Sequence, residues 1–434
     1  MDLIIRNGLV LGADGTFTRK DIGIVGNRID TIADENDSRI SASAKREVDA
    51  KGGFVIPGLV NTHTHLGMTL LRGYADDLPL FEWLSEHIWP IEAKITPEHM
   101  YAGCMLGCLE MIKSGTTAFA DMYIHVDKVA QAVIDSGMRA NLAYGMIDLG
   151  DKARADSELA ESKRFVDKWQ GAANGRIKAM YGPHAPNTCS REFLIRVKEQ
   201  AQKDNAMIHI HILETEAELN EMKEKFGMCS VNMLEEAGFL GPDVIAAHCI
   251  WLSDGDIKIL QKHGVNISHN PTSNLKLASG IAPVAKMLDF GCNVALGTDG
   301  CASNNNLDMF GEMKLAAILH KMDTNNPSVL PAPTVLNMAT RNGAKALGID
   351  AGILAPGKLA DIIIVDANKP QMVPHHNIIS NLVYSANGSE VMTTIVDGQV
   401  LMEDYKVLSL DESVVLQQAQ LAAKEMVEAV KRII

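Results

Sequence analysis

The chain has 434 residues, a formal net charge of −14 and a pI near 5.5. That balance excludes non-specific nucleic-acid binding, which needs basic patches, and suits a protein that takes a small substrate into a local pocket. Seven cysteines, an odd number with no C-x-x-C pair, exclude a disulfide framework; Cys104 and Cys108 read as buried thiols in a helical pattern. The N-terminus MDLIIRNGLVLGADG lacks a signal-peptide core, and no apolar run reaches the ~18 residues of a membrane span. The expected compartment is a reducing cytoplasm.

Residues 1–56 predict short strands and turns: LIIRNGLVL, the turn GADGT, then DIGIVGNRIDTI with a hairpin signal at Gly26-Asn27. Eight short apolar runs follow, VIPGLVNTHTH, TTAFADMY, ANLAYGMI, IKAMYGPHA, MIHIHILE, VIAAHCI, VNISHNP and NVALGTD, most of them separated by amphipathic helix patterns such as REFLIRVKEQAQKDN. Eight strand–helix units predict an α/β chain built as a (β/α)8 TIM barrel, with a doubly wound sheet as the alternative. Near the C-terminus, ADIIIVDA and VMTTIVDGQVLMED, with a turn at Asp397-Gly398, return to the texture of the first residues, and the stretch from Glu412 to Ile434 reads as a helix. The expected organisation is a small β-sandwich from residues 1–56 plus 355–434, carrying the C-terminal helix, with a metal-dependent hydrolase barrel at 57–354.

Metal-competent side chains fall at the C-terminal ends of the predicted strands, where barrel enzymes keep their active sites. His63 and His65 alternate along the first barrel strand and so share a face, as do His209 and His211 on the fifth. His248, His269 and Asp299 end the sixth, seventh and eighth. Neutral imidazoles with one carboxylate suit one divalent ion, Zn2+ ahead of Fe2+ or Mn2+. The expected ligands are His63, His65, His211 and Asp299; His209, one layer deeper, is expected to pack behind them.

The segments PGLVNTHTHLGMTLLRG, PIEAKIT, YGPHAP, HIHILET, AAHCIWL, SHNPTSNLKLASGIAPV and LGTDGCASNNNLDMFGEMKLA resemble the amidohydrolase superfamily, and within it the 5'-methylthioadenosine/S-adenosylhomocysteine deaminases, including archaeal-type 5'-deoxyadenosine deaminases. The resemblance implies a barrel joined to a sandwich made from both termini. It also implies deamination of an adenine ring by a metal-activated hydroxide, with a triazine chlorohydrolase or a deaminase of another nucleobase as the alternative. Two-metal members carry a lysine at the end of strand four; here that strand ends Tyr181-Gly182-Pro183-His184 and Lys178 lies earlier, so one ion is expected.

By the same resemblance Glu92 grips the ribose hydroxyls, His184 contacts the nucleoside, Trp83 walls the pocket, and Ser303 lies near the substrate. Arg139 matches an arginine that reaches the amino-acid tail of S-adenosylhomocysteine, while Arg154 falls in a segment of different length. Asp299 is expected to accept the water's proton, His248 to orient the hydroxide, and Glu214 to carry a proton to the ring nitrogen beside the reacting carbon. A carboxylate there could instead serve the following helix, a solvated role that Glu216 and Glu218 fit better. The expected partners are a small-molecule nucleoside and copies of the chain itself, as a homo-oligomer; neither nucleic acid nor membrane is expected.

Overall fold

In the computed structural model, residues 1–35, 37, 39–40, 44–78 and 82–431 are described. β1 (Leu3–Leu11) pairs antiparallel with β2 (Phe17–Val25) and parallel with β4 (Arg46–Asp49) and β5 (Phe54–Pro57); β3 (Arg28–Ala33) lies beyond β2. The far side of this sheet comes from the other end of the chain: β14 (Ile362–Val365) pairs with β5, followed by β15 (Val391–Val396), β16 (Gln399–Glu403) and β17 (Lys406–Val407). The expected sandwich is thus one nine-stranded mixed sheet. It has an apolar cluster of its own, with Ile22, Ile24, Val55, Ile362 and Ile395 fully buried.

The two turns flagged in the sequence meet there. Asn27 Nδ2 donates to Asp397 Oδ1 at 3.1 Å, and a side chain at Gly398, where φ is +74°, would run into the Gly26 carbonyl. Chain ends 370 residues apart are therefore joined turn to turn.

The eight apolar runs form the second sheet, all parallel: β6 (Leu59–Thr64), β7 (Thr116–Tyr123), β8 (Arg139–Met146), β9 (Ile177–Pro183), β10 (Met207–Ile212), β11 (Val244–His248), β12 (Asn266–His269) and β13 (Asn293–Leu296). Helices cover their outer faces, so both faces of each strand are buried and the runs are continuous rather than alternating. β6 and β13 close the barrel. Asp299 N donates to His63 O at 2.9 Å, Thr62 Oγ1 to Leu296 O at 2.9 Å, and Asn61 Oδ1 accepts from Thr298 N at 3.0 Å. Gly297 makes that approach possible, since a Cβ there would lie 2.9 Å from the His63 Cβ.

The C-terminal helix runs over Glu412–Lys431 and is tied to the helix Pro97–Ser114 by Lys113–Glu412 at 2.8 Å and His99–Glu425 at 3.3 Å. The last three residues of the expected helix lie outside the described ones. All seven cysteines are buried and unpaired. Among the described residues no helix is long and apolar enough to cross a membrane.

Candidate active site

The strand ends bring the predicted residues to one rim. The His63 ring centroid lies 4.9 Å from that of His65, 5.0 Å from that of His211 and 5.4 Å from that of His248. Asp299 Oδ1 is 3.3 Å from Nε2 of both His63 and His65.

The Nδ1 atoms settle how these rings face. His65 Nδ1 donates to Met122 O at 2.6 Å, His211 Nδ1 to His184 O at 2.7 Å, and His248 Nδ1 to Asn274 Oδ1 at 2.8 Å. With the Nδ1 proton committed, each ring turns an Nε2 lone pair inward. His63 Nδ1 lies 2.9 Å from His209 Nε2, so the two rings share one hydrogen bond and His209 fixes the His63 ring from behind. His63 Nε2 is left buried with no hydrogen-bond partner. An orphaned lone pair in a ring of others is the signature of a cation site, and this donor set fits one divalent ion.

Burial favours the neutral form, the one that ligates, at His63, His184, His209 and His211, whereas at His248 burial is outweighed by the facing Glu214 and Asp299, which raise the ring. Burial lowers His63 and His184 to about 4 and holds His209 and His211 well below the usual value. Burial pushes the Asp299 carboxyl up, but the facing histidines, His63 first, outweigh it and hold the group ionised well below the usual range. Ser273 Oγ donates to Asp299 Oδ2 at 2.6 Å and Gly300 N to Oδ1 at 2.7 Å. Backbone strain aims these groups: His248 and Asp299 have φ of +70° and +64°, and Leu213, just before Glu214, +50°. Non-glycine residues held there cost about 1–3 kcal/mol each and persist only when their surroundings over-determine them.

The rim opens into a cavity of about 240 Å³. His65, His211, Glu214, His248 and Asp299 line one part of it, and Glu92, Trp83, His184 and Ser303 are among the residues that line the rest. Glu214 is partly exposed to this space; burial raises its carboxyl, and Oε2 lies 3.8 Å from His248 Nε2. Glu92, also raised by burial, accepts from Tyr123 Oη at 2.5 Å. His184 Nδ1 sits 2.9 Å from Thr188 Oγ1, whose proton goes to Ala185 O, so His184 turns an acceptor Nε2 to the cavity. Trp83 is anchored through Nε1 to Ala75 O at 3.0 Å, and Ser303 Oγ donates to Gly300 O at 3.1 Å.

Three expectations change. Arg139 does not reach the cavity. It is the first residue of β8, at the opposite end of the barrel, where it binds Asp361 at 2.7 and 3.2 Å and Asp397 at 2.6 Å. His269 does not join the cluster; its Nε2 lies 3.0 Å from that of His320 in the core. Glu218 is not a solvated helix residue, for it is only 7% exposed and binds the turn that carries Glu214. Arg154 lies in the first turn of an outer helix, 3.7 Å from Glu158. Tyr123, Ser273 and Asn274 escaped sequence reading; the last two stand inside the matched segment SHNPTSNLKLASGIAPV, where only His269 had been singled out.

An eight-stranded parallel barrel whose C-terminal rim gathers imidazole nitrogens and a carboxylate defines a hydrolase of the metal-dependent class. The Amidohydrolase family model matches residues 54–401, and the chain belongs to that family. It is 59% identical over 432 residues to a 5'-deoxyadenosine deaminase of Methanosarcina mazei, covering 99% of both chains. It is 52% identical to a 5-methylthioadenosine/S-adenosylhomocysteine deaminase of Thermococcus kodakarensis over 93% of this chain and 94% of that one. In structure it is similar to a zinc-bound adenosine deaminase of Xanthomonas campestris, with a TM-score of 0.93 at 33% identity and 98% of both chains covered.

Proposed function

We propose that the protein is a hydrolytic deaminase of the adenine ring of 5'-modified adenosines, converting them to the inosine analogue and ammonia. One observation carries this: the cavity joins the converging Nε2 atoms and Glu214 to Glu92, a carboxylate available to a sugar. The names of the relatives described above agree with it.

His63, His65, His211 and Asp299 would hold one divalent ion, Zn2+ ahead of Fe2+ or Mn2+. When bound, such an ion acts as a Lewis acid that brings the pKa of water from ~15.7 toward ~7. Asp299 accepts the proton of the attacking water, and His248 Nε2 orients that water. Glu214, whose carboxyl burial raises, donates to the ring nitrogen beside the amino-bearing carbon. The water oxygen adds to the carbon, the proton held by Asp299 leaves with the ammonia as the C–N bond breaks, and the remaining hydroxyl proton returns to Glu214 as the carbonyl forms. Glu92 accepts from the vicinal ribose hydroxyls with Tyr123 holding its other side, and His184 Nε2 accepts from the nucleoside.

Among the described residues no arginine or lysine lines the cavity, whose apolar part is built from Met68, Trp83, Leu84, Ile124, Ile147 and Leu277. That apolar part suits a 5'-methyl or 5'-methylthio group, while the charged tail of S-adenosylhomocysteine meets no cation among the described residues. The preferred substrates are therefore 5'-deoxyadenosine and 5'-methylthioadenosine. The division into a barrel at 57–354 and a unit made of 1–56 and 355–434, a homo-oligomeric assembly and a cytoplasmic location complete the reading.

Ammonia release from the metal-loaded protein tests it, with adenosine, 2'-deoxyadenosine, 5'-deoxyadenosine, 5'-methylthioadenosine and S-adenosylhomocysteine in parallel and Glu214→Gln as the blank. The expected order places the two 5'-apolar nucleosides first and 2'-deoxyadenosine last. Silence on the whole panel with metal bound would move the reaction to other bases or to halide-releasing hydrolysis.

A further inference from the structure

The helix Glu216–Phe226 begins at Thr215, whose side chain accepts from Glu218 N at 3.1 Å. Thr215 and Glu218 have the spacing of a capping box, in which the third-residue carboxylate returns the bond to the N–H of the cap residue. The helix Asp254–Lys262 does this: Asp256 Oδ2 accepts from Ser253 N at 2.8 Å. Glu218 does not. It reaches past the cap and takes the two preceding amides, Leu213 N at 3.0 Å through Oε1 and Glu214 N at 2.9 Å through Oε2, while Ser230 Oγ donates to Oε1 at 3.2 Å.

Those amides belong to the turn that aims Glu214 into the cavity. Leu213 stands at φ +50°, which a bulky residue adopts only under constraint. Its carbonyl is held from the far side by Ile250 N at 3.0 Å, in the loop that follows His248. A carboxylate gripping two successive N–H groups from behind fixes the turn without entering the cavity. A helix gains nothing from this that the ordinary box would not give, so the diversion serves the turn.

We infer that Glu218 is a positioning residue for Glu214, holding the Leu213–Glu214 turn so that the Glu214 carboxyl meets the substrate ring. The inference rests on the proton-transfer role given to Glu214 above.

The test is a double-mutant cycle with 5'-deoxyadenosine at high enzyme concentration: Glu218→Gln, Glu214→Gln and the pair, each with kcat, KM, metal content and thermal midpoint measured. The Glu218→Gln side chain is isosteric with the parent's but can accept from one amide only, its NH2 opposing the other. Glu218→Gln is expected to lower kcat about 10- to 100-fold, with KM changed less than about threefold, and to cost nothing further in the Glu214→Gln background. Glu218→Ala should behave alike if it folds, and the Gln variant carries the test if it does not. An equal loss in both backgrounds, or no loss at all, overturns the inference. Full activity of Glu214→Gln alone would instead overturn the role of Glu214 itself, a different and separately visible result.

Discussion

The two ends of the barrel hold buried polar groups of similar kind and use them in opposite ways. At the N-terminal end, Arg139 on the first residue of β8 is 4% exposed and is clasped by Asp361 and Asp397 of the terminal sheet. There the guanidinium faces two opposite charges. At the C-terminal end the imidazoles turn lone pairs toward one another, and the carboxyls of Glu214, Glu218 and Glu312 are pushed up by burial. One end is satisfied and serves cohesion; the other is left electrostatically incomplete and serves chemistry.

The contrast is broken most severely at the rim. Glu214→Gln should lower kcat about 10²–10⁴-fold, the range of general acid–base help, with metal content and thermal midpoint unchanged. Removing the metal with a chelator should abolish ammonia release, and readdition of Zn2+ should restore it. An equally large fall in stability for Glu214→Gln would mean that the rim also carries cohesion.

At the opposite end the expectation reverses. Arg139→Met leaves the buried Asp361 and the part-buried Asp397 without the guanidinium they share, a loss of about 3–5 kcal/mol for a broken buried pair. Urea unfolding should show that loss while kcat/KM of the folded protein stays within about twofold for every nucleoside, S-adenosylhomocysteine included. A selective loss on S-adenosylhomocysteine would return Arg139 to the cavity.

Arg139 also marks where sequence reading stops. The period-two spacing of His63 with His65 and of His209 with His211 is visible because a strand dictates it, and the eight apolar runs place each pair on its strand. SGMRANLAYG shows a strand as well, but nothing in it says that the arginine opens that strand rather than closes it, and the two positions lie at opposite ends of the barrel. Glu218 was hidden for a different reason: a capping-box spacing reads the same whether the carboxylate returns to its own cap or reaches beyond it. The bond from Tyr123 to Glu92 joins residues 31 apart on separate elements, which no local pattern encodes.

A smaller effect sharpens the assignment within the cavity. Glu92→Gln should raise KM for 5'-deoxyadenosine by about 10- to 100-fold and narrow the gap between adenosine and 2'-deoxyadenosine, since the hydroxyls lose a charged acceptor. Tyr123→Phe should act in the same direction, more weakly. An unchanged ratio between adenosine and 2'-deoxyadenosine would remove the sugar from Glu92.

The mildest prediction follows from the burial of two carboxyls at the C-terminal end. Glu312 accepts from Asn304 Nδ2 at 2.6 Å and Thr272 N at 3.2 Å, and burial raises it from 4.5 to about 7. Burial raises Glu218 to about 7 as well. In each case the folded chain keeps a proton that the unfolded chain has already lost. The stability this confers is complete below about 4.5 and disappears as pH climbs through about 7. The thermal midpoint should therefore decline between about pH 5 and pH 8, and Glu312→Gln, which mimics the protonated acid, should remove roughly half of the share these two groups contribute. Arg139→Met lowers the whole curve by stripping the cation from the other end of the barrel, where neither of these acids lies, so its slope over that range should match the parent's. A slope abolished by Arg139→Met and untouched by Glu312→Gln would place the strained acids at the wrong end of the barrel.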